Sequence, residues 1–322
     1  MNAKDIRIVF MGTPEFAVPS LKALVEGGYN VVGVVTMPDK PAGRGMKLQE
    51  SDVKRAAKEL GITTILQPEK LRDEAFLEAM QALQPDLGIV IAFRMLPEVV
   101  WAMPRFGTFN LHASLLPEYR GAAPINWAII NGDKESGNTT FLLNHEIDKG
   151  AIIGQQRTPS GDEECVGDLY DRLMTMGAEL VVESVEKIAS GDITPIEQPQ
   201  EDENLRPAPK IFKDMCEVNW QENGTQIVNF VRGLSPYPAA WSILQHGNED
   251  FSVKIFKVRF EEKSHSAEIG TILTDNKTYI KVACNDGLIA IEELQVAGKK
   301  RMAVRDLLLG LTLNETDRFK LK

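Results

Sequence analysis

The chain has 322 residues, of which 43% are hydrophobic and 25% are charged, and its net charge at pH 7 is −10. This length allows two domains with separate cores, and no apolar run approaches the roughly 20 residues that span a bilayer. The negative charge argues against a nonspecific nucleic-acid binder, and three widely spaced cysteines predict neither a disulfide framework nor a metal-ligand cluster.

The N-terminal sequence MNAKDIRIVFMG lacks the layout of a signal peptide, because its short apolar run leads directly into a turn. A cytoplasmic protein without membrane association is therefore expected. Nothing in the sequence indicates a subunit interface, which favours a monomer.

Strands and helices alternate along the first 190 residues. Continuous apolar strands are predicted at 6–12, 30–36, 63–68, 87–93 and 106–112. Helices are predicted from Pro14 with Thr13 as N-cap, at 51–60 with Ser51 or Asp52 as N-cap, at 73–83 and at 166–190. Strands that are apolar throughout favour a buried parallel sheet with helices on both faces. The fold class predicted for this region is α/β, with a Rossmann-like parallel sheet.

The pattern changes near residue 191. Residues 191–209 are rich in proline and acidic residues and poor in large apolar ones, which is typical of a linker. A helix-like segment at 225–234 is followed by short runs with turn signals, which favour either a small antiparallel β-barrel of the OB-like kind or a sandwich. The predicted domains are therefore 1–190 and 210–322, joined by the linker 191–209.

Asn110 and His112 lie at the end of a predicted strand, where the period of two puts both side chains on one face. That end of an open parallel sheet is where ligands bind. An asparagine amide can hold a developing oxyanion, and loss of one such donor costs about 3 kcal/mol in the barrier. A histidine can accept a proton near neutral pH and return it to a leaving group. The alternatives are a buried core histidine beside a turn asparagine, and His145 as the working imidazole.

A carboxylate is expected to orient the imidazole. Asp148 follows the strand-like TTFLL and is the first candidate, with Glu146 as the rival. The segment MGTPEF has one glycine where a dinucleotide fingerprint needs three, and no nucleophile elbow or Walker loop is present. Direct transfer between two bound substrates therefore fits these residues better than a covalent acyl-enzyme does.

A longer motif resembles that of a known protein family. The run N-x-H-x-S-L-L-P-x-x-R-G-x-x-P, which starts at Asn110, resembles the folate-dependent formyltransferases, and Asp148 follows 38 residues after Asn110. The resemblance covers essentially the full length, and it includes FMGTPEFAVPSL (10–21), PDKPAGRGMKL (38–48), RGLSPYPAAW (232–241) and LQVAGKKRM (294–302). The PAGRG loop and the two C-terminal segments point to the branch of the family that acts on tRNA.

The resemblance implies transfer of a formyl group from 10-formyltetrahydrofolate to the α-amino group of methionine on initiator tRNA. It implies direct transfer through a tetrahedral intermediate, with no metal. The catalytic residues would be Asn110, His112 and Asp148. The folate-contacting residues would be Ser114, Leu115, Leu116 and Pro117, together with Phe93, Arg94, Met95 and Leu96. The tRNA-binding residues would be Lys40, Arg44 and Lys47 in the PAGRG loop, and Lys299, Lys300 and Arg301 in the second domain.

Two segments depart from the family pattern, and two rival functions stay open. The family's L-D-T-G reads IDKG at 147–150 here, which places Lys149 beside Asp148. The family's A-Y-G-x-x-L-P reads AFRMLP at 92–97 here, which is one residue shorter and changes the expected folate pocket. The first rival is a formyltransferase for another amine, such as a nucleotide sugar or glycinamide ribotide. The second is a nonenzymatic RNA-binding protein on an α/β scaffold.

Overall fold

The computed structural model describes residues 2–42, 47–199 and 204–322, and the chain divides into two compact units. The first unit consists of residues 1–121, 136–158 and 170–207. The second consists of residues 122–135, 159–169 and 208–322. The chain therefore crosses from one unit to the other several times before its C-terminal third begins.

The first unit is built on a seven-stranded sheet with the strand order β5-β2-β1-β6-β7-β8-β9. The strands up to β9 are β1 Ile8–Gly12, β2 Val31–Val35, β3 Lys40–Ala42, β4 Lys47–Gln49, β5 Ile65–Leu66, β6 Leu87–Ile91, β7 Thr108–His112, β8 Glu135–Leu142 and β9 Ile152–Pro159. The neighbours from β5 to β7 pair in parallel, whereas β8 runs antiparallel to β7. The Rossmann-like parallel sheet is confirmed, and the antiparallel strand extends it on one side.

The helices up to residue 190 are α1 Val18–Glu26, α2 Asp52–Glu59, α3 Glu74–Ala82, α4 Glu98–Trp101, α5 Pro124–Ile130 and α6 Val166–Ser190. Ser51 caps α2, because its hydroxyl accepts a hydrogen bond of 3.0 Å from the Lys54 N–H. The predicted start of α1 at Pro14 is wrong. The ring of proline fixes φ but leaves ψ free, and Pro14 is extended with ψ 172°, so a short 3₁₀ turn precedes α1.

The central strand β1 is buried at all five residues, as its apolar sequence predicts. On one face, its Val9 and Met11 side chains belong to a core that also contains Val35 and Val90. Burial of the central strands on both faces fixes the register of the parallel ladder. That ladder carries β7, whose carboxyl end holds the candidate catalytic side chains.

The second unit contains an antiparallel, nearly closed barrel. Its elements are α7 Gly224–Leu234, α8 Val304–Leu308, β10 Ala240–His246, β11 Glu249–Glu262, β12 Ile272–Thr274, β13 Ile280–Ala283, β14 Gly287–Val296, β15 Met302–Ala303 and β16 Arg318–Phe319. The order is β12-β13-β14-β11-β10-β16, with β15 beside β14. The end strands meet where Thr271 bridges Arg318 and where the Phe319 N–H donates to the Gly270 carbonyl at 2.9 Å. The small barrel expected from the sequence is confirmed.

Helix α7 packs inside the second unit and begins with a capping box. Asn223 and Gln226 exchange side-chain-to-backbone hydrogen bonds there, which satisfies two of the free donors of the first turn. Its buried face joins the barrel core around Trp220. Helix α5 belongs to the same unit and is bonded to the end of α7, because the Asn126 Nδ2 donates to the Gly233 carbonyl at 2.8 Å. Among the described helices, none combines the length and apolarity that crossing a bilayer requires.

Candidate active site

The carboxyl end of β7 carries Asn110 and His112. In the register with β8, Asn110 faces Phe141 and His112 faces Thr139. The His112 ring lies 6.5 Å from the Phe141 ring, edge to face. Since paired residues project to the same side of a sheet, this contact puts Asn110 and His112 on one face, as the period of two predicts.

The His112 ring is held in one orientation. It is only 7% exposed, and its Nε2 lies 2.9 Å from the Tyr119 carbonyl oxygen. A carbonyl oxygen can only accept, so the hydrogen of the neutral ring sits on Nε2. The lone pair that can take up a proton is therefore on Nδ1.

The Asn110 carboxamide is free for a ligand. Across residues 2–42, 47–199 and 204–322, no group forms a hydrogen bond with it, and the residue is only partly buried. A side-chain amide left open beside a buried imidazole provides a neutral donor next to a proton-accepting group. This is the pairing that acyl transfer to an amine requires.

Asp148 lies in the turn between β8 and β9 and approaches the same loop as His112. Its Oδ2 accepts a hydrogen bond of 2.9 Å from the Gly121 N–H, two residues after Tyr119. Gly121 has φ +128°, a conformation that favours glycine. Segment 119–121 therefore contacts both His112 and Asp148, although within the described part of the chain no His112 nitrogen lies within 4.0 Å of an Asp148 oxygen.

The two rival residues lie on the surface. The His145 side chain is 71% exposed, 3.6 Å from a Glu98 carboxylate oxygen and edge-on to the Trp101 ring. Glu146 is exposed and accepts a 2.9 Å hydrogen bond from the Lys149 ammonium. Neither of these contacts reaches the face of β7 that carries Asn110 and His112.

The turn that holds Asp148 is tightly closed. A Cβ added at Gly150 would lie 1.6 Å from the Leu142 carbonyl oxygen, so only glycine fits there. Asp148 has φ +55°, in the left-handed region that side chains other than glycine rarely adopt. This position is held by neighbouring groups, and the sequence gives no sign of them.

Those groups come from the segment predicted as a linker. The Gln198 Nε2 donates to the carbonyls of Asp148 and Gly150, and its Oε1 accepts from the Arg120 guanidinium. Burial lowers the pKa of Arg120, while the Asp148 and Glu146 carboxylates act in the opposite direction. Gln198 is 4% exposed although Ile196 is 65% exposed. Hydrophobicity predicts that Ile196 is buried and Gln198 exposed. The pattern of apolar and polar residues therefore does not identify Gln198.

Arg206 holds the other side of the loop after β7. Its Nε donates to the Glu118 carboxylate at 3.1 Å, and its guanidinium lies 4.7 Å from the centre of the Tyr119 ring. The Arg206 carbonyl also accepts the Tyr119 N–H at 2.8 Å. Tyr119 supplies the carbonyl that orients His112, so Arg206 stabilises the residue that holds the imidazole in place.

The shortened strip after β6 has an unexpected arrangement. Ala92 has φ +46°, and the chain turns there as β6 ends. The Arg94 guanidinium donates to the backbone carbonyls of Pro68 and Glu69. Met95 is 73% exposed, whereas Leu96 is buried and Phe93 packs on the same core. Arg94 thus ties the strip to the loop after β5, and the contribution of these four residues to a folate pocket stays a prediction.

The Ser114–Pro117 segment is fixed by Thr139 and Glu118. The Ser114 hydroxyl donates to the Glu118 carbonyl at 2.7 Å, and the Leu116 N–H donates to the Thr139 hydroxyl at 3.0 Å. Leu116 is buried, while Leu115 and Pro117 are partly exposed. Folate contacts by this segment also stay a prediction, with the partly exposed Leu115 and Pro117 as its accessible members.

The PAGRG loop contains a two-stranded ribbon that the sequence did not predict. Strand β3 pairs with β4, with Lys40 opposite Gln49. Lys40 is exposed, only the backbone of Lys47 is described, and Arg44 lies outside the described residues. At the base of the ribbon, Asp39 accepts from the Lys54 ammonium at 2.6 Å, and bonds from Lys54 and Gln67 lower its pKa.

The basic residues of the second unit lie in the connection between β14 and β15. Lys299 and Lys300 are exposed there. Arg301 donates to the Glu293 carboxylate at 2.7 Å and lies over the Phe256 ring, 4.5 Å from its centre. Arg301 is therefore already paired within its own unit, and a polyanion would have to compete with Glu293 for it.

Comparisons with known proteins agree with this architecture. The formyl transferase family model matches residues 6–185, and the model of the formyl transferase C-terminal domain matches residues 210–312. The N-formyltransferase of Helicobacter canadensis, solved with folinic acid and dTDP-3-aminofucose, has a TM-score of 0.63 at 18% identity. That match covers 92% of this chain and 100% of the other, and it shows a shared fold.

Two relatives are much nearer in sequence. The methionyl-tRNA formyltransferase of Parabacteroides distasonis is 57% identical over 315 residues, which cover 96% of this chain and 97% of the relative. The methionyl-tRNA formyltransferase of Bacteroides fragilis is 54% identical over 327 residues, with coverage of 100% and 99%. With both family models matched in order and identity above one half along nearly the whole length, the chain belongs to the methionyl-tRNA formyltransferase family.

Proposed function

We propose that this chain transfers the formyl group of 10-formyltetrahydrofolate to the α-amino group of methionine on initiator tRNA. The observation that carries the proposal is that Asn110 and His112 share one face of β7, where the Asn110 carboxamide has no hydrogen-bond partner among the described residues and the His112 Nδ1 is available to accept a proton. The names of the near relatives support the same acceptor and the same transferred group.

His112 prepares the acceptor amine in this proposal. An α-amino group has an ordinary pKa near 8, and its lone pair is available only in the neutral form. The His112 Nδ1 takes the proton from the attacking nitrogen and later gives it to the departing one. The Tyr119 carbonyl keeps the ring oriented through both transfers, because it holds the Nε2 hydrogen throughout.

Asn110 acts on the oxygen of the formyl group. As the amine nitrogen bonds to the formyl carbon, the carbonyl electron pair moves onto oxygen, and the Asn110 Nδ2–H donates to it. Asp148 lies at the other end of segment 119–121 from the Tyr119 carbonyl that bonds to His112. Its carboxylate is held by the Gly121 N–H, so it adds charge without contacting the ring.

The residue types around the site suit a folate donor. The donor supplies a formyl carbon bonded to nitrogen, and an amide beside an imidazole is a suitable set of groups for moving that carbon between two nitrogens. Apolar Phe93 and Leu96, together with segment 114–117, are the residues we assign to holding the donor. The Arg94 bonds to the neighbouring loop keep this strip in place.

We assign tRNA binding to basic residues of both units. Lys40 lies on β3, Arg44 and Lys47 follow it in the sequence, and Lys299, Lys300 and Arg301 lie in the second unit. Such side chains bind phosphates and position RNA without reading its sequence. Residues 210–322 are accordingly proposed as the tRNA-binding domain of a cytoplasmic monomer.

The test is a formylation assay with 10-formyltetrahydrofolate and methionyl initiator tRNA, in which formylmethionine is measured by mass spectrometry. Wild-type protein is expected to formylate the tRNA, and His112→Ala is expected to lose about 10²- to 10⁴-fold in turnover. Its affinity for the tRNA should stay within a few-fold of wild type, because His112 acts on the reacting nitrogen.

The competing activities are tested in parallel with a dTDP-amino sugar and glycinamide ribotide as acceptors. Faster formylation of either small amine than of the tRNA would contradict the proposal. Absence of formyl transfer by wild-type protein to all three acceptors, with tRNA bound equally well by wild type and His112→Ala, would instead favour a nonenzymatic RNA-binding protein.

A further inference from the structure

Gln198 is a buried amide whose hydrogen-bonding groups are all used. Its Nε2 donates to the Gly150 carbonyl at 2.7 Å and to the Asp148 carbonyl at 3.1 Å. Its Oε1 accepts from the Arg120 Nη2 at 2.8 Å and from the Arg120 Nε at 3.3 Å. One side chain thus ties the Asp148 turn to the residue between Tyr119 and Gly121.

These bonds converge on the proposed catalytic groups. The Tyr119 carbonyl orients His112, and the Gly121 N–H holds the Asp148 carboxylate. Arg120 joins these two residues along the chain, and Gln198 fixes Arg120 and the Asp148 backbone to each other. The hydrogen bonds of Gln198 therefore link the residue between Tyr119 and Gly121 to the backbone of Asp148.

Asp148 depends on this support because its backbone is in the left-handed region, with φ +55°. Such a conformation persists in a residue other than glycine only where surrounding contacts impose it. The Gln198 Nε2 bonds to the carbonyls of Asp148 and Gly150 are two such contacts.

The segment around Gln198 is anchored independently of it. Ile196 forms an antiparallel bridge with Ile152, with backbone hydrogen bonds of 2.8 and 2.9 Å. This bridge brings the segment alongside the start of β9, two residues after Gly150. Loss of the Gln198 amide should therefore leave the path of the chain in place and release the Asp148 turn.

We propose that Gln198 is a positioning residue for formyl transfer, which acts through its Nε2 bonds to the Asp148 turn. The inference rests on the function proposed above. A displacement of about 1 Å in a catalytic group can cost about 10²-fold in rate. An effect of that size on turnover is expected from the loss of these bonds.

The first test compares Gln198→Leu and Gln198→Glu with wild type in the formylation assay. Leucine removes all four bonds, whereas glutamate keeps acceptors for Arg120 and loses both donors to the Asp148 turn. Both variants are expected to lower kcat by about 10²-fold and to change the KM for methionyl-tRNA by less than about threefold. Glutamate at the wild-type rate would overturn the assignment to the Nε2 donors.

Ser184→Ala is the control for a merely structural effect. Ser184 is buried on α6, bonds to the Thr140 hydroxyl and the Leu180 carbonyl at 2.7 Å each, and has no part in the proposed site. It is expected to lower the thermal midpoint and leave kcat unchanged. If Ser184→Ala lowers kcat as much as Gln198→Leu does at a similar loss of midpoint, the positioning role is refuted.

The decisive measurement is a double-mutant cycle with Asp148→Asn. If Gln198 acts through Asp148, then Gln198→Leu should cost less than about threefold in kcat once Asp148 is already replaced. A cost of about 10²-fold in both backgrounds would overturn the proposal. If wild-type protein formylates tRNA and Gln198→Leu does so at the same rate, this inference alone is refuted. If wild-type protein is inactive, the proposed function is refuted and the inference with it.

Discussion

At the scale of single residues, the site depends on which polar groups are satisfied by the protein and which are left open. His112 has its Nε2 engaged by a carbonyl, Asp148 has one oxygen engaged by the Gly121 N–H, and Asn110 is open. An amide that bonds to no group in the described part of its own protein can be aligned by a substrate without first breaking a bond there. The rate enhancement that we propose for Asn110 can therefore be measured by removing its side chain.

Asn110→Ala is expected to lower kcat by about 10²- to 10³-fold, as the loss of one oxyanion donor does elsewhere. Single-turnover formylation with saturating methionyl-tRNA measures the chemical step directly. The control is Asn223→Ala, which removes the cap of α7 and should cost about 1 kcal/mol of stability without slowing the reaction. A rate for Asn110→Ala within threefold of wild type would refute the oxyanion role.

Asn110 and His112 could be found from the sequence because period-two geometry and the strand end are local properties. Gln198 and Arg206 could not be found, because their importance comes from chain segments far away in sequence. A composition rich in proline and acidic residues predicts a solvated linker. This prediction is the same whether or not the side chain of Gln198 is buried. The hydrogen bonds of Arg94 could not be predicted from the sequence either, because its partners are backbone carbonyls, which every residue carries.

At the scale of elements, the C-terminal residues of the second unit are pinned to the β10–β11 hairpin by one buried carboxylate. Asp317 is 1% exposed and accepts hydrogen bonds from the Asn314 and Gly247 N–H groups and from the His246 ring. Burial alone would raise the pKa of Asp317, but these three hydrogen bonds together lower it below its ordinary value. The carboxylate is therefore ionised in the folded protein at pH values where an unfolded chain begins to protonate it.

A lowered pKa in the folded state makes the contribution of Asp317 to stability depend on pH. The stabilisation is fully present above the unfolded pKa of about 3.9, and it is lost as the pH falls through the lower folded value. Asp317→Asn is expected to destabilise the protein by about 1–3 kcal/mol at pH 7, because two backbone donors face its amide. Urea midpoints at a series of pH values measure this, and the difference from wild type should shrink below about pH 4. A difference that stays constant from pH 7 to pH 3 would contradict the assignment.

Long periodic elements were predicted well and short ones poorly. Helix α6 spans Val166–Ser190 as expected, because 25 residues of amphipathic pattern outweigh local ambiguity. The β3–β4 ribbon was missed, since a three-residue strand that contains a proline has almost no periodic signal. The start of α1 was misplaced because Pro14 is compatible with both an extended strand exit and a first helical turn.

At the scale of the whole molecule, the two units are interleaved along the chain. The second unit draws residues 122–135 and 159–169 from between segments of the first. Within it, α5 depends on α7, which follows almost 100 residues later, and Ile130 packs on the core to which α7 belongs. A cut in the sequence therefore does not separate the units cleanly.

A chain that ends at residue 209 is expected to be less stable than the full-length protein, because α5 loses its partners in the second unit. Its thermal midpoint should fall, and it should bind a hydrophobic dye through the uncovered face of α5. Thermal denaturation and dye fluorescence on the two proteins measure this. A truncated chain with the wild-type midpoint and no dye binding would show that α5 is stable without α7.

The interleaving also bears on how the protein is made. While the ribosome adds residues 136–223, α5 has already been synthesised, but α7, whose Gly233 carbonyl accepts from Asn126 of α5, does not yet exist. The apolar side of α5 therefore stays exposed in the nascent polypeptide, where chaperones and neighbouring chains compete to bind it. A messenger RNA that slows elongation before codon 224 would prolong this exposure of α5, whereas faster translation of the same region would shorten it.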